Sequence, residues 1–458
     1  MTDLRCTRRR IFGRIGRRQF GRYALAAGAS LAAARAGLGF AEAAPSPGER
    51  RVFAHYMVCC PMAGLDADAG DYLPELRQAQ AMGIDAFALN VGGWRKEPIY
   101  PAVTGRLFSA AQSLGTGFKL FFSVDGLDVD EAVAMLSAYY DHPAHFRYGG
   151  KPLLSTYSGD AEWATALLAA LARAKRPVVF VPGFFPRHSG ERFSQAGVRQ
   201  LIAENPELDG FFYFGGAGTG EEIAERSRRI GAAWRGAGKL YMAPVTPYYR
   251  GTGGNYRLFE TRGFEGMAQQ WESAIEAGAQ WVEIVTWNDW GESTYVASFG
   301  PPDATSLWDG RWGPILSHAG YLAASQYYIR WFKTGDQRVE RDQLFWFYRL
   351  ASRTQPGRRI PEGKAQAFPK GAGRLEDRVF ASAFLTAPAV LHIESGGRSY
   401  QFPLEAGVHH VAADFDPGPQ RFALERAGRR ILAGEGAFPI AQDNWSNFNY
   451  LSGEARPV

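Results

Sequence analysis

Eight short apolar runs, each about the length of a β-strand and separated by longer stretches, limit what this chain can fold into. They span residues 51–57, 84–90, 118–124, 153–157, 178–182, 210–214, 240–245 and 281–286. The segments between them, including 72–82, 129–139, 162–173, 221–234 and 264–277, have helical composition. Near-continuous apolar strands alternating with helices suit a parallel sheet covered on both faces. Eight such units predict an α/β chain whose sheet closes into a (β/α)8 TIM barrel. The predicted barrel covers residues 44–335. By length alone 458 residues would suggest about three domains, but a barrel absorbs roughly 250 into one.

Past the barrel, residues 318–333 read as the eighth helix. Residues 343–350 read as an apolar segment packed against it, inside a connecting segment, 336–374. From 375 to 458 the texture changes to short runs broken by Gly and Pro, at 379–385, 389–393, 400–403, 409–413 and 421–425. That pattern predicts a small C-terminal antiparallel β-sandwich domain, expected to buttress the barrel.

Residues 1–43 carry most of the positive charge. They hold nine arginines against Asp3 and Glu42, a net of +7; subtracting this from the chain's +5 leaves about −2 for the rest. A near-neutral body removes the electrostatic footing for a nucleic-acid partner. Arg17-Arg18-Gln19-Phe20 precedes an Ala-rich, weakly apolar run, and Ala41-Glu42-Ala43 has the small-x-small form of a cleavage site. This resembles a twin-arginine export signal, which implies the Tat translocon as a partner during export and a periplasmic or secreted bacterial protein. The run is short and interrupted by Arg35, so stable membrane insertion is not expected. After the signal only Cys59 and Cys60 remain, and adjacent cysteines can be either a vicinal disulfide or two thiols.

In a barrel the chemistry sits at the carboxyl ends of the strands. Here those ends are polar or aromatic: His55-Tyr56, Asn90, Ser123-Val124-Asp125, Tyr157-Ser158, Phe184, Tyr213 and Tyr248-Tyr249. The eighth run empties into Trp287-Asn288-Asp289-Trp290-Gly291-Glu292. Two carboxylates three residues apart converge on one pocket if the loop turns at Gly291, where a positive φ costs little. Aromatic faces hold sugar rings while carboxylates move protons, so Asp125, Asp289 and Glu292 are the candidate catalytic groups. The candidate sugar contacts are His55, Tyr56, Asn90, Tyr157, Tyr213, Tyr248, Trp287, Asn288 and Trp290. The competing reading is that Asp125, Asp289 and Glu292 only cap the helices that follow.

Several stretches resemble glycoside hydrolase family 71, the α-1,3-glucanases or mutanases best known from fungi. They are Val52-Phe53-Ala54-His55-Tyr56-Met57-Val58, Gly83-Ile84-Asp85-Ala86-Phe87-Ala88-Leu89-Asn90, Lys119-Leu120-Phe121-Phe122-Ser123-Val124-Asp125 and Trp287-Asn288-Asp289-Trp290-Gly291-Glu292-Ser293. Lys151-Pro152-Leu153-Leu154-Ser155, His318-Ala319-Gly320-Tyr321 and Trp346-Phe347-Tyr348-Arg349 extend the likeness to roughly residues 51–390. The resemblance implies inverting hydrolysis of a polysaccharide, an α-glucan or a bacterial exopolysaccharide, with no metal or other cofactor. It places the essential acids at Asp125, Asp289 and Glu292; the residues leave open which is acid and which base, and the expectation taken is Glu292 as acid, Asp289 as base and Asp125 orienting water or facing the developing positive charge. Two positions depart from the family. Cys59-Cys60-Pro61 stands where Gly-Asn is commoner, and Thr294 replaces a common His. The alternatives are an enzyme for a different bacterial exopolysaccharide and a barrel that binds glycan without cleaving it.

Overall fold

The computed structural model describes residues 49–183, 194–251, 256–299, 308–309, 313–354, 369–444 and 448–458. The export segment and Phe184 lie outside the described residues. Eight parallel strands form the main sheet: β1 (Arg51–Met57), β2 (Ala86–Val91), β3 (Lys119–Val124), β4 (Lys151–Thr156), β5 (Val179–Pro182), β6 (Gly210–Phe212), β7 (Leu240–Val245) and β8 (Trp281–Ile284). Their order is β5-β4-β3-β2-β1-β8-β7-β6, and the two-residue Arg147–Tyr148 pairs antiparallel on β4. The helices are α1 (Leu73–Ala81), α2 (Ile99–Leu114), α3 (Val129–Tyr139), α4 (Ala161–Arg173), α5 (Gln195–Glu204), α6 (Gly220–Gly236), α7 (Glu265–Glu276) and α8 (Ala319–Thr334).

The sheet curls into a half-barrel, but the expected closed ladder is not completed between β5 and β6. Asp209 spans the start of that gap. Its carboxylate Oδ2 accepts the Phe180 amide at 2.8 Å and its own amide donates to Phe180 O at 3.2 Å. A side chain thus takes the place of a strand carbonyl and satisfies the buried donor, as Asp85 does for the Val52 amide at 2.8 Å between β1 and β2.

Residue parity along each strand separates two cores. Val52, Ala54, Tyr56, Phe87, Leu89, Leu120, Phe122, Val282 and Ile284 pack outward against the helices. Phe53, Ala86, Ala88, Phe121, Leu153, Val181, Phe212, Met242, Trp281 and Val285 fill the inside of the curl. Full burial of each large side chain contributes about 1.5–3 kcal/mol. Continuing the inward parity one step toward the carboxyl ends reaches His55, Asn90, Ser123, Asp125, Tyr157 and Phe214, so the same alternation that packs the interior also aims the rim.

Residues 343–349, expected in the connecting segment, instead form a central strand of the C-terminal sandwich. One sheet contains β9 (Gln343–Arg349), β10 (Arg378–Leu385), β13 (Gly407–Asp414) and β16 (Tyr450–Glu454), in the order β13-β10-β9-β16. The other contains β11 (Ala389–Ser395), β12 (Arg398–Leu404), β14 (Gln420–Arg426), β15 (Arg429–Glu435) and β17 (Arg456–Pro457), in the order β12-β11-β14-β15-β17. The first sheet is a middle layer. Phe345 and Phe347 pack with the residues of α8, whereas Leu344, Trp346 and Tyr348 face the second sheet. Trp346 stacks on Phe422 with centroids 4.8 Å apart and planes 3° apart. A Cβ at Gly434 or Gly453 would lie 2.4 or 2.5 Å from that indole, so the stack requires glycine at both positions.

Candidate active site

The loop after β3 supplies Asp125. The competing helix-capping role falls to another residue: Asp128, at the N-cap of α3, accepts the Glu131 amide at 2.8 Å. Asp125 stays partly exposed at the rim. Ser158 donates to its Oδ1 at 3.1 Å and Asn90 Nδ2 to its Oδ2 at 3.5 Å. Burial pushes the Asp125 carboxyl up, opposed by the Ser158 and Asn90 hydrogen bonds and by His55. Behind Asn90, its Nδ2 lies 3.1 Å from His55 Nε2, and His55 Nδ1 lies 2.7 Å from Glu283 Oε1.

The loop after β8 brings Asp289 and Glu292. The Val285–Thr286 peptide is cis. Thr286 Oγ1 accepts the Asp289 amide at 2.9 Å and lies 3.0 Å from Thr294 Oγ1. Asp289 Oδ1 accepts the Glu292 amide, also at 2.9 Å. The expected positive φ at Gly291 is absent; Ser293 takes the left-handed conformation instead, with φ 59°. Tyr249 donates to Glu292 Oε1 at 3.3 Å. Burial first, and then the charge of Asp289, push the Glu292 carboxyl up to about 8, against the pull of Tyr249 and Arg257.

Tyr157 ties the two loops together. Its phenol is pushed up by burial and then by the charges of Glu292, Asp125 and Asp289, so all three carboxylates lie within electrostatic range of one hydroxyl. Its ring meets Phe214 edge-on at 4.6 Å, and Phe214 meets His55 at 5.1 Å. The structure therefore brings His55, Asn90, Asp125, Tyr157, Asp289 and Glu292 to one rim.

Six expected sugar contacts are placed elsewhere. Tyr56 and Tyr213 have the outward parity and lie in the helix-facing core, where Tyr56 packs on Phe87 at 4.9 Å. Tyr248 is buried with its hydroxyl on Phe448 O at 2.8 Å, against the C-terminal segment. Trp287 turns outward to donate to buried Glu75 at 3.1 Å. Asn288 and Trp290 hold the loop after β1: Asn288 Oδ1 accepts the Met57 amide at 2.7 Å, and Trp290 Nε1 donates to Cys60 O at 2.9 Å. Their work is to fasten one rim loop to another. In that loop the Cys59 and Cys60 sulfurs are 2.9 Å apart, as two thiols and not a disulfide.

Sequence reasoning missed Glu283 and Phe214, and passed over Ser158 and Tyr249 in favour of their neighbours. Parity separates them once the inner face is known, since Phe53, His55 and Glu283 share that face while Tyr56 and Tyr213 do not. A second concavity of about 820 Å³ opens at the opposite, amino-terminal end of the strands, lined by Arg51, Asp85, Lys119 and Lys333 among others. There Asp85 is already paired with Lys333 at 2.6 Å and Arg51 at 3.4 Å. It holds none of the three rim carboxylates. No helix among the described residues is long and apolar enough to cross a membrane.

A curled parallel sheet with carboxylates and aromatic rings at the carboxyl ends of its strands defines a carbohydrate-cleaving enzyme. Residues 48–457 match Glycosyl hydrolase family 71, and the chain belongs to that family. It is 27% identical over 426 residues to a mutanase of Penicillium rubens, covering 88% of this chain and 87% of the relative. It is 26% identical over 403 residues to a glucan endo-1,3-alpha-glucosidase of Schizosaccharomyces pombe, covering 83% and 89%. Among solved structures, a GH99 endo-alpha-mannosidase of Bacteroides thetaiotaomicron is 18% identical with a TM-score of 0.47, covering 62% of this chain and 97% of that one.

Proposed function

We propose that this protein hydrolyses α-1,3-glucan with inversion at the anomeric carbon. Glu292 gives its proton to the departing glycosidic oxygen as the carbon–oxygen bond breaks. Asp289 takes a proton from the attacking water, and Asp125 faces the positive charge that develops on the sugar. The observation carrying this reading is the convergence of Asp125, Asp289 and Glu292 on one rim, where burial and the neighbouring Asp289 carboxylate push the Glu292 carboxyl up and so favour its protonated form. The relatives named as mutanase and endo-1,3-alpha-glucosidase support the substrate class. We read the curled sheet as a (β/α)8 barrel whose seam lies between β5 and β6.

Inversion is a single displacement, so proton NMR of a fresh α-1,3-glucan digest is expected to show the β-anomer first. Initial α-anomer would mean retention through a covalent intermediate and would overturn the assignment of Asp289 as base. Cleavage of other glucans or exopolysaccharides with α-1,3-glucan untouched would replace the substrate and leave the chemistry in place.

The Arg17-Arg18 motif ahead of an Ala-rich run supports export by the twin-arginine route to the periplasm or beyond. Changing both arginines to lysine is expected to leave precursor in the cytoplasm; full processing of that variant would refute the route.

A further inference from the structure

We infer that Glu283, buried beneath the rim, sets the orientation and ionisation of Asp125 through His55 and Asn90. It is a positioning residue, and the inference rests on the catalytic reading of Asp125. Glu283 and His55 are both fully buried and 2.7 Å apart, and among the described residues Glu283 Oε2 has no hydrogen-bond partner. Burying an ionised carboxylate costs several kcal/mol unless hydrogen bonds offset it. The surrounding interior is apolar, with Phe53, Met242 and Val285 in the same cluster, and an apolar pair would fill the space more cheaply. A costly polar group directly behind a reacting carboxylate points to the site it serves.

The direction of the hydrogen bonds gives the mechanism. Burial pushes the Glu283 carboxyl up, opposed by its hydrogen bond to His55; in the ionised form which that bond favours, Glu283 can only accept, so His55 carries its proton on Nδ1 and turns the Nε2 lone pair to Asn90. Asn90 Nδ2 then gives one N–H to His55 at 3.1 Å and the other to Asp125 Oδ2 at 3.5 Å. With Ser158 donating to Oδ1, both oxygens of Asp125 are acceptors, which favours the carboxylate over the acid. The ionisable groups around Asp125 are His55 on β1, Tyr100 on α2 and Tyr157 after β4. The chain Glu283–His55–Asn90 thus holds Asp125 as the anion that faces the sugar, and bars it from the role of proton donor.

The test uses protein labelled with 15N-histidine and 13C-carboxyl aspartate, with the His55 and Asp125 signals assigned by their loss in His55→Gln and Asp125→Asn. In the parent, His55 is expected to be protonated at Nδ1 and bare at Nε2. Glu283→Gln, which can donate to Nδ1, is expected to move the proton to Nε2, turn the Asn90 amide and raise the Asp125 titration midpoint. Asn90→Ala, which leaves the buried pair intact, is expected to raise the Asp125 midpoint without changing the His55 tautomer. On substrate, Glu283→Gln should lower kcat by about 10–100-fold with KM changed less than about threefold, the size seen when a supporting hydrogen-bond partner is removed. The loss should be nearly absent in an Asn90→Ala background, because both changes cut the same chain. A parent His55 protonated at Nε2, an Asp125 midpoint indifferent to both variants, or fully additive kcat losses would each overturn the inference. The NMR measurements need no substrate, so they separate failure of the relay from failure of the glucanase reading.

Discussion

Glu292→Gln and Asp289→Asn are each expected to lower turnover of the glycan by about 10²–10⁴-fold with affinity largely kept, the usual contribution of one positioned acid or base. Both replacements are isosteric. Asp289 also accepts the Glu292 amide at 2.9 Å, and this decides how its variant is read. The amide oxygen of Asn can still accept that hydrogen bond, so an Asp289 that only shapes the turn would tolerate Asn with little loss. Near-parental activity of Asp289→Asn, or of Glu292→Gln, would therefore reduce this loop to a structural element. The pH profile offers a second reading of the same pair. Glu292 must be protonated to act and is held up at about 8, so parental activity should fall as pH rises through that region. Tyr249→Phe removes a hydrogen bond that favours the Glu292 carboxylate, and should move this alkaline limb to higher pH.

Glu260→Ala is expected to destabilise the fold by about 3–5 kcal/mol, the cost of leaving one partner of a buried pair uncompensated. Arg349 at the end of β9 is 2% exposed and donates to Glu260 Oε2 at 3.1 Å and Oε1 at 3.3 Å. Its guanidinium also lies 4.2 Å from the centre of the Tyr450 ring, and Tyr450 donates to Glu260. Glu260 in turn accepts the Glu376 amide at 2.8 Å, so one carboxylate joins the segment leading into α7 to the C-terminal sandwich. Burial raises its carboxyl, but Arg349 and the hydrogen bonds outweigh burial and leave it below the usual value. A depressed carboxyl contributes stability that is present above its unfolded pKa and lost as pH falls through the folded one. Destabilisation by Glu260→Ala should accordingly be largest near neutral pH and shrink in acid. Chemical denaturation measures it, and removing both charges in Glu260→Ala/Arg349→Met should recover much of the loss. A midpoint unchanged by Glu260→Ala would show that this junction is held elsewhere.

Much of the site was legible in the residues because polar side chains at the ends of apolar runs are costly unless they meet solvent or one another. Asp125, Asp289 and Glu292 stood out for that reason, and His55, Asn90 and Tyr157 were found at the same rim. Tyr56, Tyr213, Tyr248, Trp287, Asn288 and Trp290 were drawn to the rim by type alone and are buried in packing or fastening roles. Glu283 was passed over because it lies between Val282 and Ile284 in a run apolar on both sides.

The eight strand runs and the carboxylates that follow them can be read directly from the residues, since burial on both faces demands unbroken apolar runs and nothing outside a few neighbours is needed to see them. Which alternate residues point inward was settled by the folded chain, because a strand buried on both faces carries no polar alternation to mark its inner side. It likewise decided that Asp209 takes the Phe180 amide, that Asp128 rather than Asp125 caps α3, and that Arg349 meets Glu260 from 89 positions away. Each of those choices depends on which distant group completes a hydrogen bond, a quantity that exists only once the chain is folded.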